Sequence, residues 1–153
     1  MKIRRGKISD LAELIKLKDA LTEFHTELDP IYNGPSKVRA VTKESLEKCL
    51  NDDWGFVFVA EEDGKLIGYI SGYVAEDEYV KPQLTGKIIN IIVLGEHRNK
   101  GLGRLLFDRA ESHLESRGVN YLTIKVHIDN TQALAAYRSF GFKDFNITLN
   151  KKL

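Results

Sequence analysis

Residues 88–117 read IINIIVLGEHRNKGLGRLLFDRAESHLESR, and no other stretch restricts the fold as strongly. Ile88, Ile89, Ile91, Ile92 and Val93 form a nearly continuous β-branched run, which suits a strand covered on both faces and therefore near the centre of a sheet. Residues 94–100 supply a short basic turn. Gly101-Leu102-Gly103 then opens a helix whose apolar positions Leu102, Leu105, Leu106, Ala110 and Leu114 recur close to every 3.6 residues, with Gly118 as the expected stop.

The first turn of such a helix has backbone N–H groups with no intrahelical acceptor, and the helix dipole adds partial positive charge there. Glycines at 101 and 103 remove side chains that would hold an anion away, while Arg98, Lys100 and Arg104 add cationic charge. Arg98-x-x-Gly101-x-Gly103 therefore reads as a pyrophosphate cradle. The same residues also fit an ordinary strand-to-helix turn with basic side chains facing water. Position 106 is Leu, so the third glycine of G-x-G-x-x-G is missing, and no G-x-x-x-x-G-K-[ST] loop occurs.

Upstream, residues 2–7 suit a short strand, and Ser9-Asp10 caps a helix carrying Leu11, Leu14, Ile15, Leu17, Leu21, Phe24 and Leu28. Residues 29–41 hold Pro30, Gly34 and Pro35 and are expected to form a loop, with a second helix starting at Thr42. Residues 54–61 and 65–75 alternate as two strands around Asp63-Gly64, a tight-hairpin pair. Residues 76–86 are expected as a second loop. Downstream, residues 121–127 suit a strand parallel to the central one through a right-handed βαβ crossover. Asn130 caps a helix with Ala133, Leu134, Ala136, Tyr137 and Phe140, stopped by Gly141, and residues 142–149 alternate as a last strand. The chain thus reads as a single domain over residues 1–153, an α/β protein with a mixed sheet.

Charge narrows the partners. Twenty-three Lys and Arg against 22 Asp and Glu leave a net charge of +1, too little for a field that recruits nucleic acid or an anionic membrane. Cys49 is the only cysteine, which removes a disulfide framework and a cysteine-rich zinc site and makes the cytoplasm the expected compartment. The histidines at 25, 97, 113 and 127 show no close ligand spacing, so no metal is expected.

Ligands of mixed sheets sit beyond the carboxyl ends of parallel strands, where the glycine turn, Asn130 and Tyr137 all fall. The strand ending at Val93, Arg98-x-x-Gly101-x-Gly103, and then Asn130-x-x-Ala133-x-x-x-Tyr137-x-x-x-Gly141-Phe142 together resemble the GNAT superfamily of acyl-CoA-dependent N-acetyltransferases. That resemblance implies a mostly antiparallel sheet with one parallel pair splayed for CoA and about four helices. It implies that Ile91, Ile92 and Val93 meet the pantetheine arm and that the amides of Arg98, Asn99, Lys100, Gly101, Leu102, Gly103 and Arg104 hold the pyrophosphate of acetyl-CoA. Asn130 would touch the CoA arm, the Val93 N–H would hold the oxyanion, and Tyr137 would protonate the departing thiolate.

Many family members resemble one another in carrying a glutamate base on the central strand, and here that region has Asn90, which cannot accept a proton at neutral pH. His127 and His25 are the candidate bases. The implied activity is acetyl transfer to a primary amine of a small molecule or peptide. A catalytically silent acyl-CoA sensor is the alternative, and a homodimer is compatible with either. Asp29, Glu76, Asp77 and Glu78 lie in the two loops expected to border the acceptor entrance and would favour a cationic acceptor.

Overall fold

The computed structural model describes residues 1–76 and 84–153. Five strands lie in sequence order across one sheet: β1 (Lys2–Arg5), β2 (Gly55–Glu62), β3 (Lys65–Glu76), β4 (Leu84–Val93) and β5 (Tyr121–Ile124). Neighbours pair antiparallel except β4 and β5, which are parallel and joined through α3 (Leu102–Glu115). Helices α1 (Leu11–Leu28) and α2 (Pro35–Asn51) separate β1 from β2, and α4 (Thr131–Ser139) follows β5.

Period-two alternation sends each strand's side chains into two cores. Phe56, Phe58 and Ala60 of β2 pack with Leu102, Leu106, Phe107, Ala110 and Leu114 of α3, while Val57 and Val59 face Leu14, Leu17, Leu46 and Cys49 of α1 and α2. Leu106 is fully enclosed, so Leu106→Ala would cost about 2–5 kcal/mol in transfer and cavity terms. The β2–β3 turn has positive φ at both Asp63 and Gly64, as a two-residue primed turn requires.

β4 contains the irregularity that builds the site. Ser71 of β3 pairs with Asn90 but Gly72 pairs with Ile88, so Ile89 is an extra residue on β4, a β-bulge. Its effect is to break the alternation: Ile88, Ile91 and Val93 lie on the α3 side, whereas Ile89 and Asn90, consecutive residues, both face the cleft beside α1 and α2. Gly72 makes this close approach feasible, since a Cβ there would strike the Lys87 carbonyl oxygen and the Phe56 ring.

Just past the bulge the sheet opens. The β4–β5 ladder runs from Thr85↔Tyr121 to Ile88↔Ile124 and ends, while β4 continues to Val93. The Leu94 N–H donates to the Ile67 carbonyl at 3.0 Å, and alternate residues of an antiparallel strand turn to the same neighbour. Ile91 and Val93 therefore point their N–H and C=O groups away from β3, into the gap that β5 leaves.

Four expectations need correction. The loop over residues 29–41 is shorter, because Pro35 sits at the first helical position behind Gly34 and starts α2 instead of breaking it. β4 begins at Leu84, paired with Glu76, so Glu76 and residues 84–86 of the expected 76–86 loop belong to strands, and residues 77–83 lie outside the described residues. The strand expected over residues 121–127 ends at Ile124, where β4 no longer runs alongside it. No strand forms over residues 142–149: Phe145, Ile147 and Leu149 are 69%, 90% and 89% exposed, and alternation without a ladder partner does not make a strand.

Candidate active site

The gap beside β4 leads directly to the glycine turn. Asn99 and Gly101 both have left-handed backbones, φ 59° and 78°, a conformation that glycine adopts at little cost. Gly101 caps α3 without any side-chain cap, and the first intrahelical bond is Leu105 N–H to the Gly101 carbonyl at 3.1 Å. The N–H groups of Leu102, Gly103 and Arg104 thus lack intrahelical acceptors. A Cβ at Gly101 would meet nothing within 4 Å, and one at Gly103 only Val93 Cγ2 at 4.0 Å, so the space in front of these amides is open to a ligand.

Three basic side chains border that space differently. Arg98 folds back so that Nε donates to the Val93 carbonyl at 2.9 Å, tying the turn to the end of β4. Arg104 is committed to Asp108 at 2.6 Å and lies over the Phe140 ring at 5.3 Å, so its charge is partly neutralised. Lys100 is exposed.

The second motif stands next to the first. Gln132 Nε2 in the first turn of α4 reaches Asn99 Oδ1 at 3.5 Å. Asn130 Oδ1 accepts from the Ala133 N–H at 3.2 Å, a helix cap. Tyr137 packs against Phe140 and Phe142, which themselves stack on Phe107 of α3, and burial pushes its phenol up to about 12. Such a hydroxyl stays protonated throughout the neutral range.

On the other side of β4 lies a cleft of about 460 Å³ between α1, α2 and the bulge. Ile89 and Asn90 form its sheet side, and Lys18, Thr22 and His25 come from one face of α1. Lys18 Nζ donates to Asn90 Oδ1 at 2.8 Å, and Asn90 Nδ2 donates to the buried Ser71 Oγ at 3.1 Å. Burial lowers the Lys18 pKa. His25 is also held below its ordinary value, first by burial and then by the charge of Lys18, so its imidazole is neutral at pH 7. Its ring lies against Tyr32 and makes no hydrogen bond among the described residues.

His127 is placed differently from His25. Its Nδ1 accepts from the Asp129 N–H at 3.2 Å, which leaves the proton on Nε2, 3.3 Å from Asp29 Oδ2. With both nitrogens engaged and its ring edge-on to Tyr32, His127 braces the loop after β5 against the loop after α1. Asp29 also accepts from the Ile31 N–H, so its carboxylate is occupied. Of the other acidic residues expected at the entrance, Glu76 ends β3, and Asp77 and Glu78 lie outside the described residues.

Sequence reasoning missed Lys18, Ser71 and the Ile89 bulge. For Lys18 a signal existed: it sits four residues from Leu14 and four from Thr22, a lysine on the buried face of α1. The bulge had none, because an extra residue inside an unbroken β-branched run changes no pattern.

The model of the Acetyltransferase (GNAT) family matches residues 17–142. The chain belongs to the GNAT acetyltransferase family. As a GNAT member it is an N-acetyltransferase, an enzyme that moves an acetyl group to an amine. It is 27% identical, over 89% of its length and 88% of the other's, to a Bacillus subtilis protein provisionally named a ribosomal protein bS18 alanine N-acetyltransferase. It is 32% identical to the Escherichia coli ribosomal protein bS18 alanine N-acetyltransferase over 61% of its own length and 58% of that protein's. A variant of the BH1408 protein from Bacillus halodurans shares the GNAT fold with a TM-score of 0.84 at 22% identity, each chain fully covered. The five-stranded mixed sheet with one parallel pair and four helices is thus the architecture of this family.

Proposed function

We propose that this GNAT enzyme transfers the acetyl group of acetyl-CoA to a primary amine by direct attack in a ternary complex, with the thioester in the gap between β4 and β5 and the amine in the α1–α2 cleft. One observation carries this above the others: the bulge puts Ile89 and Asn90 in the cleft, while Ile91 and Val93 offer backbone groups to the gap. Donor and acceptor would then meet across three or four residues of one strand. The open N-terminus of α3, with the amides of residues 98–104, suits the pyrophosphate of acetyl-CoA, and the backbone of Ile91 and Val93 suits the pantetheine arm, whereas Ile92, also expected there, turns its N–H and C=O to β3. Asn130, at the neighbouring end of α4, borders the same arm while capping its helix.

The chemistry sets the demands on the side chains. An amine of pKa ~10 is only about one part in a thousand neutral at pH 7, a cost of ~4 kcal/mol before attack. The neutral amine adds to the thioester carbonyl, the carbon–sulfur bond then breaks, and the amine's surplus proton must leave. His25 supplies a neutral imidazole in the cleft with no competing hydrogen bond, whereas His127 is already engaged at both nitrogens; we assign the proton to His25, through water where the acceptor is small. The Val93 N–H holds the developing oxyanion. Tyr137 serves the leaving thiolate. Full transfer from a phenol near 12 to a thiolate of pKa about 8.5 would be uphill in water, so Tyr137 mainly donates a hydrogen bond until the thiolate is equally withdrawn from solvent.

The name of the Escherichia coli relative favours an amino-terminal amine of a peptide as one acceptor to test, beside small amines. The experiment is release of the CoA thiol from acetyl-CoA with and without a panel of amines and short peptides. Amine-dependent release supports transfer. Tight CoA binding with no amine-dependent release across the panel would instead mark a silent acyl-CoA module, in which Asn90 is the trace of a lost base.

A further inference from the structure

We infer that the acceptor carries an anionic group close to the amine that is acetylated, and that Lys18 is the residue that recognises it, an inference that rests on the acetyl-transfer reading above. Lys18 projects from α1 into the cleft beside Ile89 and Asn90, and its only bonded neighbour among the described residues is the neutral Asn90 Oδ1 at 2.8 Å. The ammonium of Lys18 has only donors, so the Asn90 oxygen faces it and Nδ2 is left to donate to Ser71 Oγ. An ammonium has three N–H donors, so two remain for the cleft. Among the described residues no carboxylate relieves them: Asp19, the acidic residue next in sequence, is paired with Arg39 at 2.6 Å.

The remainder of the cleft has the same electrostatic sense. His25 and Tyr32 are its other titratable side chains, neither Asp nor Glu lines it among the described residues, and Ile31, Val41 and Ile89 give part of it an apolar surface. A desolvated cation without a counter-charge is costly, as the lowered Lys18 pKa reflects, and an incoming anion removes that cost. A diamine would place a second cation beside Lys18. An amine bearing a carboxylate or a phosphate would complete the site, its anion on Lys18 and its amine left to meet the thioester at β4.

The test compares matched acceptors with the full chain and acetyl-CoA: amino carboxylates, amino phosphates, diamines of the same length, and the same amines with no second charge. The wild-type enzyme should show a higher kcat/KM for one or both anionic series, and which one identifies the anion. Lys18→Met should erase that advantage, lowering kcat/KM for the anionic series by roughly 10- to 100-fold, the range of a charge-assisted hydrogen bond. Lys18→Glu should shift preference to the diamines. Calorimetry with CoA on each variant distinguishes lost recognition from a lost fold. The inference fails if uncharged amines or diamines are used as well as anionic ones by the wild type, or if the anionic preference survives Lys18→Met. Acetylation of only the non-anionic amines would overturn it while leaving the acetyl-transfer reading intact. CoA binding without turnover of any series would overturn both.

Discussion

The two sides of β4 are built from different materials. On the proposed donor side the groups on offer are backbone: the amides of Ile91 and Val93 along the gap and those of Leu102, Gly103 and Arg104 at the open end of α3. On the proposed acceptor side they are side chains, His25 and Lys18 from α1 and Asn90 from the bulge, with Lys18 bonded to Asn90 and Asn90 to Ser71. Backbone recognition imposes narrow demands on the sequence, since an αL turn and an uncovered helix end call for glycine at particular positions. Side-chain recognition imposes few, because a lysine or histidine can arrive from any element that faces the cleft. On the proposed reading the donor side follows from a local motif, and the acceptor side is where specificity would be set.

Four substitutions would break or sharpen that contrast. The largest effect is expected from His25→Gln, about 100-fold in kcat/KM for the amine at neutral pH, at the low end for a general base. Because burial and the Lys18 ammonium hold His25 below its ordinary pKa, the wild-type rate should fall as pH drops through that lowered value, and the variant should lose this acid limb. A pH profile of kcat/KM with the same acid limb in both proteins would remove His25 from catalysis. Next, Tyr137→Phe should lower kcat about 10- to 100-fold with little change in acetyl-CoA affinity. An undiminished kcat, measured where chemistry limits the rate, would leave Tyr137 as packing against Phe140 and Phe142.

Gly103→Val tests the donor side, and should weaken CoA binding about 10-fold in a calorimetric titration by filling the open space before the α3 amides. Valine is a better helix former than glycine, so the melting temperature should not fall; a large drop would mean that Gly103 is structural. Smallest is the stability effect of Lys18→Met. Desolvation lowers the folded-state pKa of Lys18, so its charged form destabilises the fold at neutral pH and the penalty is relieved as pH rises through the lysine range. Removing the charge should raise the melting temperature at pH 7 by about 2 °C, with the gain shrinking at alkaline pH. A lower melting temperature at pH 7 would show that the Lys18 to Asn90 bond stabilises more than desolvation costs.

The same contrast explains which parts were legible in the sequence. The β2–β3 hairpin, the β4–turn–α3 unit and the Asn130 cap follow from local chemistry: Asp63-Gly64, the Ile-rich run with its glycines, and an amide side chain at a helix start. Pro35 is ambiguous in the sequence because proline both breaks helices and begins them, and only the preceding extended Gly34 decides which. The alternation of Phe145, Ile147 and Leu149 is present, but a period of two records side-chain spacing and says nothing of a partner ladder. The cleft depends on long-range placement, Lys18 against Asn90 across 72 positions, which no local pattern encodes.

Residue-resolved amide hydrogen exchange with and without acetyl-CoA tests the division between the two sides most directly. The account predicts slowed exchange at Val93 and at Leu102, Gly103 and Arg104 on addition of acetyl-CoA alone, with the α1 and α2 residues around Lys18 and Thr42 unchanged until an amine is added. Protection centred on the α1–α2 cleft, with Val93 and the start of α3 exchanging as before, would contradict it.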